Sequence, residues 1–215
     1  MAKRSAEKES APRDAHRPEV EAALARVRAV LEERGVLLRQ DLSLPCVTTL
    51  IVGQPIRGSW WSHPENKLIY DTLGRLESET ARVKLLNEKV TLVHRRLWPE
   101  LVVIGQSRAD WQLRALSEGA RKILDQVDRP LRADELDVEA TGKARHDLIA
   151  ELERNLLVHG YDLHTERGFH VRVLEPWSAW QKEHGVNGKL PSPSTAMETF
   201  ERAIDGWSNA RLPWG

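Results

Sequence analysis

Residues 158–174 alternate apolar and polar side chains on both sides of a short turn, and this pattern restricts the fold more than any other feature of the chain. The turn contains Gly168, which can take the positive φ angle that a three-residue hairpin loop requires. Pairing Tyr161 with Val173 places the large apolar side chains on one face, so burial specifies the register. The same register predicts four further pairs: Leu163 with Val171, His164 with His170, Asp162 with Arg172, and Thr165 with Phe169.

Helical patterns precede this hairpin. The first begins at the cap residue Ser117 and ends at Pro130. Residues 132–136 are predicted to form one short helix. Thr141 is a suitable cap for a longer helix. Its apolar residues recur every four positions and therefore share a face: Ala144, Leu148, Leu152 and Leu156.

Helix, short helix, longer helix and hairpin in this order resemble the winged-helix arrangement. The resemblance covers residues 117–174 and depends on order and periodicity. It implies that the third helix enters the major groove of DNA while the hairpin, or wing, touches the backbone. The exposed side of that helix is a poor match to phosphate, since it mixes both charges: Lys143, Arg145, His146, Asp147, Glu151 and Glu153.

Residues 18–98 show the same order of elements. Pro18 begins a helix that Gly35 ends, residues 45–52 form a short helix, and Pro64 begins a third. A hairpin follows with Asn87 and Glu88 as its turn. A two-residue turn predicts core-facing pairs and outer pairs. These are Leu85 with Val90 and Val83 with Leu92 on the core face, and Lys84 with Thr91 and Arg82 with Val93 on the outer face.

The predicted fold is therefore α+β and mainly helical, with two tandem winged-helix domains and a C-terminal helical extension. The predicted divisions are a disordered tail at 1–17, domains at 18–110 and 111–184, and a linker with a docking helix at 185–215. Trp207 and Trp214 would be costly on a free tail, so we expect it to dock on the body or on a protein partner, which includes self-association.

The loop at residues 56–64, with the sequence IRGSWWSHP, is the least ordinary stretch. A helix start with free backbone donors suits a phosphate, and an exposed tryptophan suits an unstacked base. The alternative is that both indoles pack between the two domains and Arg57 pairs with a carboxylate. The predicted nucleic-acid contacts come from this loop and from the basic wing: Arg57, Ser59, Trp60, Trp61, His63, Lys67, Arg82, Lys84 and Lys89.

The charge balance argues against this prediction, because the 32 Lys and Arg residues are matched in number by 32 Asp and Glu residues. A neutral chain lacks the basic excess that drives non-specific nucleic-acid binding. We expect no membrane span, a cytoplasmic location and no cofactor. His164 and His170 are too few for a metal site, and His63 and His159 have structural interpretations as a helix cap and as a partner of Glu175.

The leading hypothesis is a nucleic-acid-binding protein, most simply DNA-binding, without catalysis. A protein interaction module is the first alternative. The second is a DNA repair enzyme, because the architecture is similar to that of tandem winged-helix DNA glycosylases. Their catalytic motif is not recognisable in this sequence, although Gln40 and Asp41 lie before the short second helix. The catalytic residues of such an enzyme would be unknown.

Overall fold

The computed structural model describes residues 17–164 and 170–215. It has an α+β architecture in which helices surround two small antiparallel sheets. The predicted tail, apart from Arg17, and the predicted pair of Thr165 with Phe169 lie outside these ranges. Within them, no helix combines the length and the apolar character that a bilayer crossing demands.

The first unit (residues 18–94) contains three helices and a three-stranded sheet. Its helices are α1 (Pro18–Arg34), α2 (Val47–Val52) and α3 (Asn66–Arg75), and its strands are β1 (Val36–Leu38), β2 (Thr80–Lys84) and β3 (Val90–His94). The sheet order is β1-β3-β2, so β3 is central. Gly35, at φ 82°, ends α1 in the left-handed conformation and leads directly into β1, a strand that the sequence analysis does not predict.

The predicted register of the first hairpin is wrong by one residue. The observed pairs are Arg82 with Leu92, Val83 with Thr91 and Lys84 with Val90. The turn at Asn87 and Glu88 has positive φ at both residues, but Leu85 has helical backbone angles and forms a bulge before it. The bulge allows both Leu85 and Leu86 to be buried, and Thr91 becomes a core residue instead of an outer one.

The second unit (residues 118–175) repeats this order and sheet topology. Its elements are α6 (Glu118–Leu124), β4 (Leu131–Arg132), α7 (Gly142–Arg154), β5 (His159–His164) and β6 (His170–Glu175), after α4 (Trp98–Gln106) and the short α5 (Asp110–Leu113). The sheet order is β4-β6-β5. Ser117 accepts a hydrogen bond from the Ala120 amide and caps α6, as predicted.

The predicted register of the second hairpin is confirmed for every pair within the described residues, from His164 with His170 to Tyr161 with Val173. The expected burial of its apolar face is wrong for Tyr161 and Leu163, which are 37% and 44% exposed. The short helix predicted at residues 132–136 is wrong. Residues 131–132 instead form β4, whose edge pairs with β6, and only a 3₁₀ turn follows at Ala133–Glu135. A strand of two residues carries no periodicity, so its pairing partner alone defines it.

Two further helices, α8 (Trp177–Glu183) and α9 (Pro193–Ala203), join the C-terminal residues in covering the first sheet. Leu37 and Leu92 face the core of α1, α2 and α3. Val36, Leu38 and Val93 face a second core, which α4, α8 and α9 close. The first sheet is therefore buried on both faces.

The C-terminal tail docks on the body of the chain, which is one of the two predicted outcomes. Trp207 and Trp214 are half-buried against the second core, and Leu212 is buried in it. The Asn87 side chain accepts a hydrogen bond from the Arg211 amide at 2.8 Å and donates one to the Asn209 carbonyl at 3.1 Å. The turn of the first hairpin thus holds the tail.

A buried ion cluster joins the two units. Glu153 of α7 is 6% exposed and accepts hydrogen bonds from Arg172 of β6. Its second oxygen lies 2.8 Å from the Lys84 ammonium of β2. Burial raises the pKa of Glu153, but the charges of Arg172 and Lys84 outweigh it, so the pKa lies below its ordinary value. A second pair crosses the same junction, with Arg154 3.4 Å from Glu88.

Gly105 of α4 should tolerate no side chain. A Cβ atom there would lie 2.3 Å from the Trp177 ring, whereas a Cβ at Gly74 of α3 would meet nothing within 4 Å. We expect Gly105→Ala to lower the free energy of unfolding by about 2 kcal/mol through overpacking. Gly74→Ala, the matched control in another helix, should raise it by about 0.5–1 kcal/mol. Urea denaturation measures both, and equal effects of the two substitutions would contradict the packing of α4 on α8.

Glu153 should make stability depend on acid. Because its pKa is lower in the folded chain, its contribution is fully present above the unfolded value of about 4.3 and is lost as the pH falls through the folded pKa. Glu153→Gln should cost about 3 kcal/mol at pH 7, since Lys84 and Arg172 lose their charged partner. The difference between the two proteins should shrink as the pH is lowered below 4.3.

Denaturation at a series of pH values measures this difference. Glu118→Gln is the control, because Glu118 forms an exposed pair with Lys122 on α6. This variant should match the original protein throughout. A constant difference between Glu153→Gln and the original protein from pH 7 to acid would show that Glu153 is not the ionised partner of Lys84.

Candidate functional site

The tryptophan loop (residues 56–63) is fixed to the end of β1 by one side chain. Gln40 donates hydrogen bonds from its amide to the Ile56 carbonyl at 3.1 Å and to the Gly58 carbonyl at 2.6 Å. Gly58 has a φ of +81°, which an L side chain rarely adopts, and turns the chain toward the tryptophans. The loop is therefore held at its base.

The two tryptophans are stacked, and only one of them is buried. Their ring centroids lie 4.0 Å apart at 25°, with Trp60 4% exposed and Trp61 57% exposed. Tyr70, at 53% exposed, lies with its ring 5.7 Å from Trp61. Trp61 and Tyr70 together form the aromatic shelf, whose inner layer is Trp60. Since Trp60 belongs to the core of the first unit, neither indole fills the space between the units.

Short polar contacts connect the loop to α3. The Ser59 hydroxyl accepts from the Trp61 amide at 3.3 Å. His63 Nδ1 accepts from the Glu65 amide at 3.1 Å, and the Asn66 side chain donates to the Trp61 carbonyl at 2.8 Å. The predicted helix start at Pro64 is displaced to Asn66, because a 3₁₀ turn at Trp60–Ser62 precedes it. His63 therefore binds the backbone just before α3, while α3 itself has no side-chain cap, so the predicted capping of this helix by His63 is not observed.

Two cations on the tryptophan loop and α3 have no partner among the described residues. Arg57 lies in the loop and Lys67 in the first turn of α3, and both side chains are exposed. Neither forms a hydrogen bond or an ion pair within residues 17–164 and 170–215. The alternative pairing of Arg57 with a carboxylate is therefore not observed there. Lys67 and Tyr70 are one turn apart, so they share the outer face of α3.

The cations of the predicted basic wing are each paired with an acid. Arg82 lies 2.9 Å from Glu77, and Lys84 binds the buried Glu153. Lys89 lies 2.6 Å from Asp41. This hairpin is thus compensated in charge, and its most buried cation, Lys84, holds the second unit.

Asp41 is an anchored carboxylate rather than a free one. One oxygen accepts from the amides of Ser43 at 2.9 Å and Leu44 at 3.0 Å, and the other binds Lys89. Burial opposes ionisation, yet the hydrogen bonds from Lys89 and from these amides hold the pKa of Asp41 far below its ordinary value. A group that is so firmly ionised and fully hydrogen-bonded is a poor general acid or base.

The outer face of α7 offers few uncompensated charges. Lys143 pairs with Asp147 at 2.6 Å, and Glu151 accepts a hydrogen bond from the Ser117 hydroxyl at 2.8 Å. Arg145 donates to the carbonyls of Ala133 and Ala140. In the second unit, α7 corresponds to α3. These charged side chains of α7 bind within their own unit, whereas Glu153 and Arg154 at its C-terminal end contact the first unit.

The predicted pairing of His159 with Glu175 is confirmed, with Nδ1 2.8 Å from Oε1. Both side chains are buried, and the His159 ring lies 5.7 Å from Trp177 and 5.8 Å from Trp180. This position in the second core indicates a structural role. Across residues 17–164 and 170–215, no group of three His, Cys, Asp or Glu side chains is placed to hold a metal ion.

The sequence analysis missed two contributors to this site. Tyr70 could have been found, because it follows the buried Ile69 and falls on the outer side of the helical pattern of α3. Gln40 could not, since its two carbonyl partners are defined only once β1 and the loop are placed together.

Comparison of the chain with protein-family models, with curated protein sequences and with solved structures gives no significant match.

Proposed function

We propose that this chain is a tandem winged-helix protein that binds nucleic acid through its first unit. Two features of the fold support the proposal. Each unit runs helix, strand, short helical segment, helix and hairpin, and both sheets have their third strand at the centre. In winged-helix proteins the third helix faces the nucleic acid, and α3 carries Lys67 and Tyr70 on its exposed face.

The observation that carries the proposal is the aromatic shelf. Trp61 exposes more than half of a large apolar ring while its other face is stacked on the buried Trp60. Such a ring is already ordered, so little side-chain entropy remains to be lost when a base stacks on it. Tyr70 extends the same surface at 5.7 Å.

The aromatic shelf favours unpaired bases over an intact duplex. The faces of bases in a duplex are already stacked on their neighbours, whereas an unpaired base offers a free face. Arg57 and Lys67 then supply cations for the phosphates that flank the stacked base. We therefore assign the first unit to single-stranded or locally unpaired nucleic acid.

In this proposal the second unit acts as a support. Glu153 and Arg154 of α7 contact the first hairpin through Lys84 and Glu88. These contacts use the C-terminal end of the helix that would otherwise approach DNA. The base-excision alternative is less well supported, because Asp41 is fully hydrogen-bonded and His63 Nδ1 is occupied by the Glu65 amide.

Trp61→Ala should weaken binding to a labelled thymidine oligonucleotide by roughly tenfold, the equivalent of one lost base stack. Fluorescence anisotropy measures the affinity. Tyr161→Ala is the matched control, because Tyr161 is an exposed ring on the second unit, and it should bind as the original chain does. Binding that is equal for both variants, or tighter for a duplex of the same length, would contradict the proposal. Self-association of the chain without binding of the oligonucleotide would favour the interaction-module alternative.

The salt dependence of binding should identify the cations. Replacing both Arg57 and Lys67 by Gln should reduce the slope of log affinity against log salt by about 1.4, which corresponds to two phosphate contacts on a single strand. The control replaces Lys182 and Lys189 by Gln. Both lysines are exposed and likewise lack a partner among the described residues. That variant loses the same net charge and should keep the original slope. Equal slopes for the two double variants would show that only net charge matters.

A further inference from the structure

An open groove of about 450 Å³ lies next to the tryptophan loop. Its walls are the segment after β1, the start of the tryptophan loop and the turn of the first hairpin. The residues that matter here are Arg39, Gln40, Asp41, Gly58 and Lys89. Since Gln40 binds the Gly58 carbonyl at 2.6 Å, the groove and the tryptophan loop share one rigid wall.

Arg39 is the unusual residue of this groove. Its side chain is half-buried, yet it forms no hydrogen bond or ion pair within the described part of the chain. The side-chain nitrogens of Arg39 are not fully buried, so the guanidinium keeps contact with solvent. Partial burial of a charge without an acceptor is unfavourable, and a guanidinium normally finds an oxygen to bind.

The acids that line the groove do not compensate Arg39. Both carboxylate oxygens of Asp41 already accept hydrogen bonds, one from the amides of Ser43 and Leu44 and the other from Lys89. Glu88 lies 3.4 Å from Arg154. Burial and the nearby charge of Arg82 lower the pKa of Arg39, against a weaker opposite effect of Asp162, so its surroundings favour an added negative charge.

We propose that this groove is a phosphate-binding site, in which Arg39 donates paired hydrogen bonds to the backbone phosphate of a nucleic-acid strand. A guanidinium presents two parallel N–H donors that match two phosphate oxygens. The inference rests on the proposed function, because the strand reaches the groove from the base that stacks on Trp61. Gly58 in the wall of the groove and Trp61 are separated by at most about 11 Å of extended chain, so a single strand can reach both the groove and the aromatic shelf.

The test compares two oligothymidylates of equal length, one with phosphodiester and one with uncharged methylphosphonate linkages. Arg39→Gln should weaken binding of the phosphodiester strand by roughly tenfold and leave binding of the methylphosphonate strand unchanged. Trp61→Ala should weaken both. Arg114→Gln removes an exposed arginine that is also unpartnered among the described residues, and it should match the original chain.

The outcomes separate this inference from the proposed function. If Arg39→Gln binds the phosphodiester strand like the original chain while Trp61→Ala does not, the groove proposal fails and the proposed function stands. If Trp61→Ala also binds both strands like the original chain, the proposed function fails. Inorganic pyrophosphate is the third probe. If Arg39→Gln weakens the binding of pyrophosphate but not that of the strand, the groove binds a free phosphate compound, and the proposal that it binds a nucleic-acid strand is overturned.

A melting experiment keeps the test independent of misfolding. Arg39→Gln removes a partly buried charge without an acceptor, so its melting temperature should equal or exceed that of the original chain. A lower melting temperature would show that Arg39 has a structural partner, and this result also overturns the proposal. Arg39→Lys, which keeps the charge but loses the paired donors, should recover only part of the phosphodiester affinity.

Discussion

The two-sided burial of the first sheet is the constraint on which the other features of this protein depend. Along β1, Leu37 faces the helices of the first unit, while Val36 and Leu38 face the core that α4, α8 and α9 complete. A sheet that is covered on both faces cannot present one of them to solvent, so its hairpin is not a free wing. This burial accounts for the bulge at Leu85, since the extra residue lets Leu85 and Leu86 both reach apolar surroundings.

The same burial decides what the charges of the first hairpin can do. Lys84 lies at the junction with α7, where Glu153 compensates it at 2.8 Å. A charge in a largely buried junction is stable only with its partner, so the role of Lys84 is to hold the two units together. Charges that are left for a ligand must lie elsewhere, and in the described part of the first unit they lie on the tryptophan loop, on α3 and at Arg39.

The candidate site is constructed on an ordered base. Trp60 is buried in the core of the first unit and carries Trp61 on its face, while Gln40 and Asn66 bind carbonyls of the loop. An exposed aromatic ring on a mobile loop would lose entropy on binding, whereas a ring that is stacked in advance loses little. The groove at Arg39 shares this base, so the proposed stacking surface and the proposed phosphate site keep a fixed relation.

The sequence by itself determined the order of the helices and the second hairpin, because these depend on local spacing. Its alternation placed Tyr161 opposite Val173 and His159 opposite Glu175, and the position of the glycine turn left one register that puts the apolar side chains on one face. It also singled out the tryptophan loop. Only the tertiary structure decided which indole is exposed, since Trp60 and Trp61 are equally apolar and the core accepts one of them.

Tertiary structure also decided the strands β1 and β4, the bulge at Leu85 and the partners of the charges. A strand of two or three residues carries no usable period, and a bulge depends on what covers both faces of the sheet. Glu153 and Lys84 are distant from each other in sequence, and so are Arg39 and the charges that act on it, Arg82 and Asp162. The sequence shows that these residues are charged. Coulomb interactions and burial act through space, so only the folded structure determines which of the charges are neutralised.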